Sequence, residues 1–192
     1  MTQANPRQPE IPPAKWSMQR YHEAIEAGII SDWNVELIEG VITPVSPETP
    51  QHWYRGNKTA KYLESILGDR AEVRFNSPIT LSETERNPDV AIVHPLDTAY
   101  EQRHPGPKDI YWLIEVAVSQ PPRDLKTKKA VYAKAGIKEY WVIDLKKWEL
   151  HVFRHPEGEH YTFEEIWDTE TITPLEFPDI AIDVERLLSG RK

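Results

Sequence analysis

The chain has 192 residues, a formal net charge of −8, 39% hydrophobic residues and no cysteine. That length supports one domain with a substantial core. The missing cysteines exclude disulfides and thiolate metal sites, and the acidic balance argues against a general nucleic-acid-binding surface. No run approaches the ~20 apolar residues that cross a bilayer, and no secretory leader opens the chain, so a cytoplasmic protein without membrane partners is expected.

Residues 1–15 contain Pro6, Pro9, Pro12 and Pro13 and little that could enter a core. They read as a disordered or extended arm in front of a single domain over 16–192. Ser17 is placed to cap a helix from Met18 to Ala27 that stops at Gly28. The alternation in Val35 to Thr43 predicts a strand with a turn or bulge near Gly40. Within it Glu36 is either an exposed strand-edge acid or an inward ligand. Prolines 44, 47 and 50 break regular structure. Gln51 to Leu67 then predicts a long helix that packs through Trp53, Ala60, Leu63 and Leu67, with His52 at its start. Ala71 to Asn76 and Pro78 to Ser82 read as a hairpin around Asn76-Ser77. Asn87 to Val93 is the next strand, and Asp89 shares a face with Ala91 and Val93. Taken alone, Asp89 is a strand-end cap or an acid turned into the sheet. The loop over 94–109 is long enough for a lid.

The stretch from Asp109 to Asp144 reads as strand, turn, helix and strand. Ile110 to Val118 is apolar on both faces, as a strand covered on two sides must be, yet Glu115 sits in its middle. An ionised carboxylate there is costly unless it is paired or holds a metal. The helix is expected over Arg123 to Ala135, ending at Gly136. At ~100° per residue, Asp124, Lys128, Val131, Tyr132 and Ala135 share one face, with Lys126, Lys129 and Ala133 opposite. Lys128 is therefore aimed at the sheet. Glu139 to Asp144 is a second strand, parallel to the first across the crossover. Trp148 to Arg154 and His160 to Trp167 predict an antiparallel pair, and Asp183 caps a last short helix. Trp112, Trp141, Trp148 and Trp167 read as core and interface residues. Arg123 to Lys138 holds six basic residues and one acid, a local balance of +5 that leaves −13 to the rest.

A buried acid on a strand and a buried lysine on the next helix break the burial pattern in one small region, as functional sites do. If the strands of Asp89 and Glu115 are neighbours, the two carboxylates converge on one hard cation; magnesium needs only one or two protein carboxylates. A lysine beside such a metal orients water or stabilises charge on a phosphate. Position 117 would supply one from the strand, but it is alanine, so Lys128 would reach the same space from the helix. Asp124, four residues earlier, could orient it.

These pieces resemble the PD-(D/E)xK nuclease superfamily, and in particular the Uma family of restriction-endonuclease-like proteins, long described only as a domain of unknown function. The matching stretches are VELIEGVITPVSP (35–47), His52, NPDVAIV (87–93), IEVAVS (114–119) and RDLKTKKAVYAKAGIKEYWVID (123–144). The resemblance implies an α/β, restriction-endonuclease-like core in which helices flank a mixed β-sheet. It implies a metal-dependent DNA endonuclease, often dimeric, using Mg2+ or Mn2+ in its place. Asp89 and Glu115 are then metal ligands, Glu36 lies near the metal, and Lys128 is a lysine migrated from strand to helix. Asp124, His52 and Tyr132 could support them. Two departures from the strongest pattern are Ala117 in the lysine slot and Val35 where an aromatic is common. The alternative is a DNA- or protein-binding module without catalysis on the same fold. A histidine-based metallohydrolase is disfavoured, because the histidines lack helical ligand spacing.

Overall fold

The computed structural model describes residues 14–45, 47–118 and 124–189, and of residues 124 and 125 the backbone alone. The arm expected over 1–15 thus lies outside the described residues except for its last two, which are exposed. Among the described residues no helix is long and apolar enough to cross a membrane.

The chain opens with helix α1 (Met18–Glu26), where the Ser17 hydroxyl accepts a hydrogen bond from the Arg20 N–H as the expected cap. The strand expected over 35–43 is a hairpin, β1 (Val35–Ile38) and β2 (Val41–Pro44). Its two-residue turn holds Glu39 at φ +48° and Gly40 at φ +79°. Positive φ at both central positions is what the tight hairpin turn demands. Helix α2 (Pro50–Leu67) follows, with Pro50 in its first turn and the Thr49 hydroxyl accepting from the His52 N–H. Then come β3 (Glu72–Phe75), β4 (Ile79–Thr80), β5 (Glu85–Arg86), β6 (Val90–Val93) and β7 (Ile110–Ala117).

The hairpin expected around Asn76-Ser77 does not form. β3 pairs with β6, and β4 pairs with β5 in a separate sheet. The two segments serve different cores: Val73 and Phe75 pack with the cluster under α2, whereas Ile79 is fully buried in the cluster on the other side of the main sheet. Asn76, at φ +46°, donates its N–H to the Asp89 carbonyl and turns the chain between the sheets.

After β7 a π-helical turn (Asp124–Lys128) leads into α3 (Lys129–Lys134), which stops at Gly136 with φ +78°. A wider turn shifts the phase of the helix by about one residue. Ala133, placed by a regular helix on the outer face, is accordingly buried, as are Val131 and Tyr132. The chain closes through β8 (Glu139–Asp144), β9 (Glu149–Glu157), β10 (His160–Trp167), β11 (Thr171–Ile172), β12 (Ile182–Asp183) and α4 (Val184–Ser189). Asp183 caps α4 by accepting from the Arg186 N–H.

The main sheet runs β10-β9-β8-β7-β6-β3 and is mixed: β7 and β8 are parallel, and every other pair is antiparallel. The smaller sheet runs β2-β1-β5-β4. Alternation along β7 divides the core in two. Trp112, Ile114 and Val116 face the cluster with Leu63, Leu67 and Leu187, on the side of α2 and α4. Leu113 and Ala117 face the cluster with Tyr132, Tyr140 and Phe153, on the side of α3. Each large side chain fully buried here contributes roughly 1.5–3 kcal/mol, so both faces of the strand around position 115 are held by packing. Trp112 and Trp141 are buried as expected, but Trp148 is exposed and Trp53 is 49% exposed, lying edge-on to Phe75. The 94–109 loop is tied down by Asp109, which accepts from the Gly106 N–H and pairs with Arg103. None of its residues lines the cleft described next.

Candidate active site

Glu115 occupies the α3-facing side of β7, opposite Val142 of β8, and is fully buried. Both of its carboxylate oxygens are engaged. Oε2 takes the Lys128 ammonium at 2.5 Å, and Oε1 accepts from the Tyr132 hydroxyl at 2.8 Å. Burial works to raise the Glu115 carboxyl, but the Lys128 and Arg86 cations outweigh it and hold the group below the usual value, so it is ionised. Burial and the neighbouring Glu115 charge push the Tyr132 hydroxyl well above the usual phenol range, so it stays a donor.

Asp89 stands one residue before β6 and is 6% exposed. Its Oδ2 accepts from the Val116 N–H at 2.6 Å and lies 3.1 Å from His52 Nε2. Burial and the Glu115 charge push the Asp89 carboxyl up to about 6. The two carboxylates, one residue of backbone from contact, are therefore driven in opposite directions. Environments that split like groups in this way mark acid–base and metal sites.

His52 is carried into place by the first turn of α2. Its Nδ1 lies 2.7 Å from Glu48 Oε1, so the ring bridges Glu48 and Asp89. Burial opposes its charge, yet hydrogen bonds and charges from Asp89 and Glu48 lift it to about 9. Glu36, on β1, accepts from the Asn87 N–H at 2.9 Å and lies 3.3 Å from the Arg86 guanidinium. Arg86 is itself buried and sits 5.7 Å over the Tyr132 ring. Glu36, Glu48, His52, Arg86, Asp89 and Lys128 all line one open cleft of about 580 Å³. The Asp124 side chain lies outside the described residues, and so does its expected pairing with Lys128.

Of the anticipated residues, the structure brings Glu115, Lys128 and Tyr132 into one hydrogen-bonded group and His52 onto Asp89, with Val116 joining the two groups. It does not gather the carboxylates of Asp89, Glu115 and Glu36 into a tight trio. Among the described residues the group of three whose ligand atoms lie within 4.8 Å of one another is Glu48, His52 and Asp89. Glu48 and Arg86 had no place in the sequence-based expectation. The spacing of Glu48 four residues before His52 is the signal that could have found the first; nothing local distinguishes Arg86. The donor set suits a hard divalent cation: it is rich in carboxylate oxygens, and Asp89 is raised first by burial and then by the Glu115 charge, which a cation would offset.

A family profile described as "Uma2: Putative restriction endonuclease" matches residues 18–185. The chain belongs to the Uma2 family. The match runs from α1 to α4 and includes every residue of the cleft. This Uma2 chain is also similar to a solved structure from Anabaena variabilis ATCC 29413, described as a putative nuclease belonging to DUF820. The TM-score is 0.64 at 18% identity, over 81% of this chain and 89% of that one. The likeness carries the fold, a mixed sheet flanked by helices. Among curated proteins none matches the Uma2 chain.

Proposed function

We propose that this Uma2 protein is a DNA endonuclease that hydrolyses phosphodiester bonds with a divalent cation, Mg2+ or Mn2+, held by Asp89 and Glu115. Glu36 completes the shell directly or through water. The observation that carries this reading is the Lys128 ammonium at 2.5 Å from Glu115 Oε2. It puts a cationic donor from the helix beside the acid of a strand whose own lysine position is Ala117. When bound, the cation would polarise the phosphate and favour a hydroxide nucleophile.

The chain's own residues do the rest. Lys128 lines the cleft with its ammonium fixed by Glu115, where it orients the attacking water and stabilises charge on the phosphoryl oxygens. Tyr132 holds Glu115 in one rotamer, and the Val116 N–H holds Asp89. Arg86 holds Glu36 at the cleft wall. A homodimer, offering two clefts to the two strands of a duplex, belongs to the same proposal.

The test is nicking of supercoiled and single-stranded DNA with Mg2+ and Mn2+, wild type beside Asp89→Ala and Lys128→Ala, each checked for folding by thermal denaturation. Cleavage should fall by at least ~10²-fold in both, the loss expected when one charge-stabilising group is removed. Equal cleavage by all three proteins would sink the reading. A folded wild type that cleaves neither substrate would leave the non-catalytic binding module in its place.

A further inference from the structure

The cleft contains a second set of donors, of which the proposed reaction uses only Asp89. Glu48, His52 and Asp89 each present one ligand atom within 4.8 Å of the other two. Chain geometry fixes this set. Glu48 precedes the Thr49 cap, and His52 lies in the first turn of α2, so both project from the same helix end toward Asp89, just ahead of β6. The side chains of Glu48 and His52 are each 26% exposed, open to the cleft, whereas Asp89 is nearly enclosed. Glu115 differs: it is fully buried, with one oxygen on Lys128 and the other on Tyr132.

From this contrast we infer that the chain has a cation position whose ligands are Glu48, His52 and Asp89, with one His52 ring proton released to solvent as the ion binds, and that its imidazole nitrogen selects a transition cation such as Mn2+ over Mg2+. Magnesium takes oxygen ligands and dehydrates reluctantly. Imidazole suits first-row transition ions, and carboxylate suits manganese as it does magnesium, so a site offering both favours a transition ion over magnesium. Asp89 contributes to this position and to the one beside Glu115, so the inference rests on the same cleft as the proposed activity. Its geometry, however, stands on α2 and not on Lys128.

The experiment is Mn2+ binding followed by electron paramagnetic resonance in the absence of nucleic acid, on the full chain. Electron spin echo envelope modulation reports whether a nitrogen is bound to the ion. Wild type should bind Mn2+ and show nitrogen modulation. His52→Ala should lose the modulation and bind Mn2+ at least ~10-fold more weakly, with Mg2+ competition little changed. Glu48→Gln, a change at an exposed position that keeps the side-chain shape, should weaken binding while keeping the modulation. Glu115→Gln should keep the modulation too. The inference is overturned if wild type binds no Mn2+, if bound Mn2+ shows no nitrogen modulation, or if His52→Ala weakens Mg2+ and Mn2+ alike. Nitrogen-ligated Mn2+ in a protein that cleaves no DNA would remove the nuclease reading and leave this site. Cleavage that needs Asp89 but shows no nitrogen ligand would do the reverse.

Discussion

Asp89 and His52 make the folded state sensitive to pH in a direction opposite to that of most ion-paired acids. The Asp89 carboxyl rises from 3.8 to about 6 in the fold, so the native state favours its protonated form. Stability from this group is fullest below 3.8 and declines as pH rises through about 6. His52 rises from 6.5 to about 9. Its contribution is complete below 6.5 and is lost as pH climbs through about 9. Both slopes have the same sign. In EDTA, the urea midpoint should therefore fall between pH 6.5 and about 9 in wild type and stay flatter in His52→Ala. Asp89→Asn should flatten the lower arm, between 3.8 and about 6. An unchanged upper slope in His52→Ala would remove the bridge between Glu48 and Asp89 from the account. These residues differ in how legible they are in the sequence. Glu115 and Lys128 declare themselves by breaking a burial pattern, and Asp89 by entering an apolar strand. Glu85 and Arg86 look like an exposed polar pair, yet both are buried, 7% and 6% exposed. Their burial comes from the small sheet closing over α3, a long-range fact with no local signal. Glu48 is half legible: its spacing four residues before His52 is local, but its closeness to Asp89 depends on where α2 docks.

At the scale of elements, α2 aligns the cleft because it can approach β3 closely at Gly56. A Cβ at that position would come within 2.8 Å of the Phe75 ring, which already carries Trp53 edge-on. Gly56→Ala gains up to ~1 kcal/mol of helix propensity. Overpacking against the ring costs about 1–3 kcal/mol. The net expectation is a loss of about 1 kcal/mol in denaturant unfolding, together with a shift of the α2 N-terminus that weakens divalent-ion binding through His52, one turn earlier. A stabilised variant with unchanged ion binding would show that Phe75 yields freely and that the helix is not held by this contact. The sequence pattern anticipates α1, α2, β6 to β10 and α4, because their periodicities and caps are local. It misplaces the partner of β3, since strand pairing across the 14 intervening residues is set by which core each face serves. It also takes the crossover helix as regular, because a π-helical turn at Asp124–Lys128 leaves no compositional mark. That turn lies where Lys128 leaves the helix toward Glu115, so the irregular element and the decisive side chain coincide.

The whole molecule carries −8, and three of the described lysines after residue 123 are held in ion pairs. Lys128 pairs with Glu115, Lys129 with Glu164 and Lys134 with Glu39. In the cleft, Arg86 is matched by Glu36 and His52 by two acids. Phosphates approaching this face meet cations already neutralised, inside an acidic field that repels them. Affinity for DNA should then depend on divalent ions bridging carboxylate and phosphate. Ca2+, a larger oxygen-liganded cation, tests this bridging without Mg2+ or Mn2+ present. Fluorescence anisotropy with a labelled oligonucleotide should show binding at least ~10-fold tighter in Ca2+ than in EDTA, and Asp89→Ala should abolish the difference. The salt dependence in EDTA should be shallow, because each phosphate neutralised by a protein cation adds about −0.9 to the slope of log K against log salt. A steep slope and tight binding in EDTA would mean that paired lysines are released on contact. The acidic cleft would then serve the chemistry alone, and the surface after residue 123 would hold the substrate.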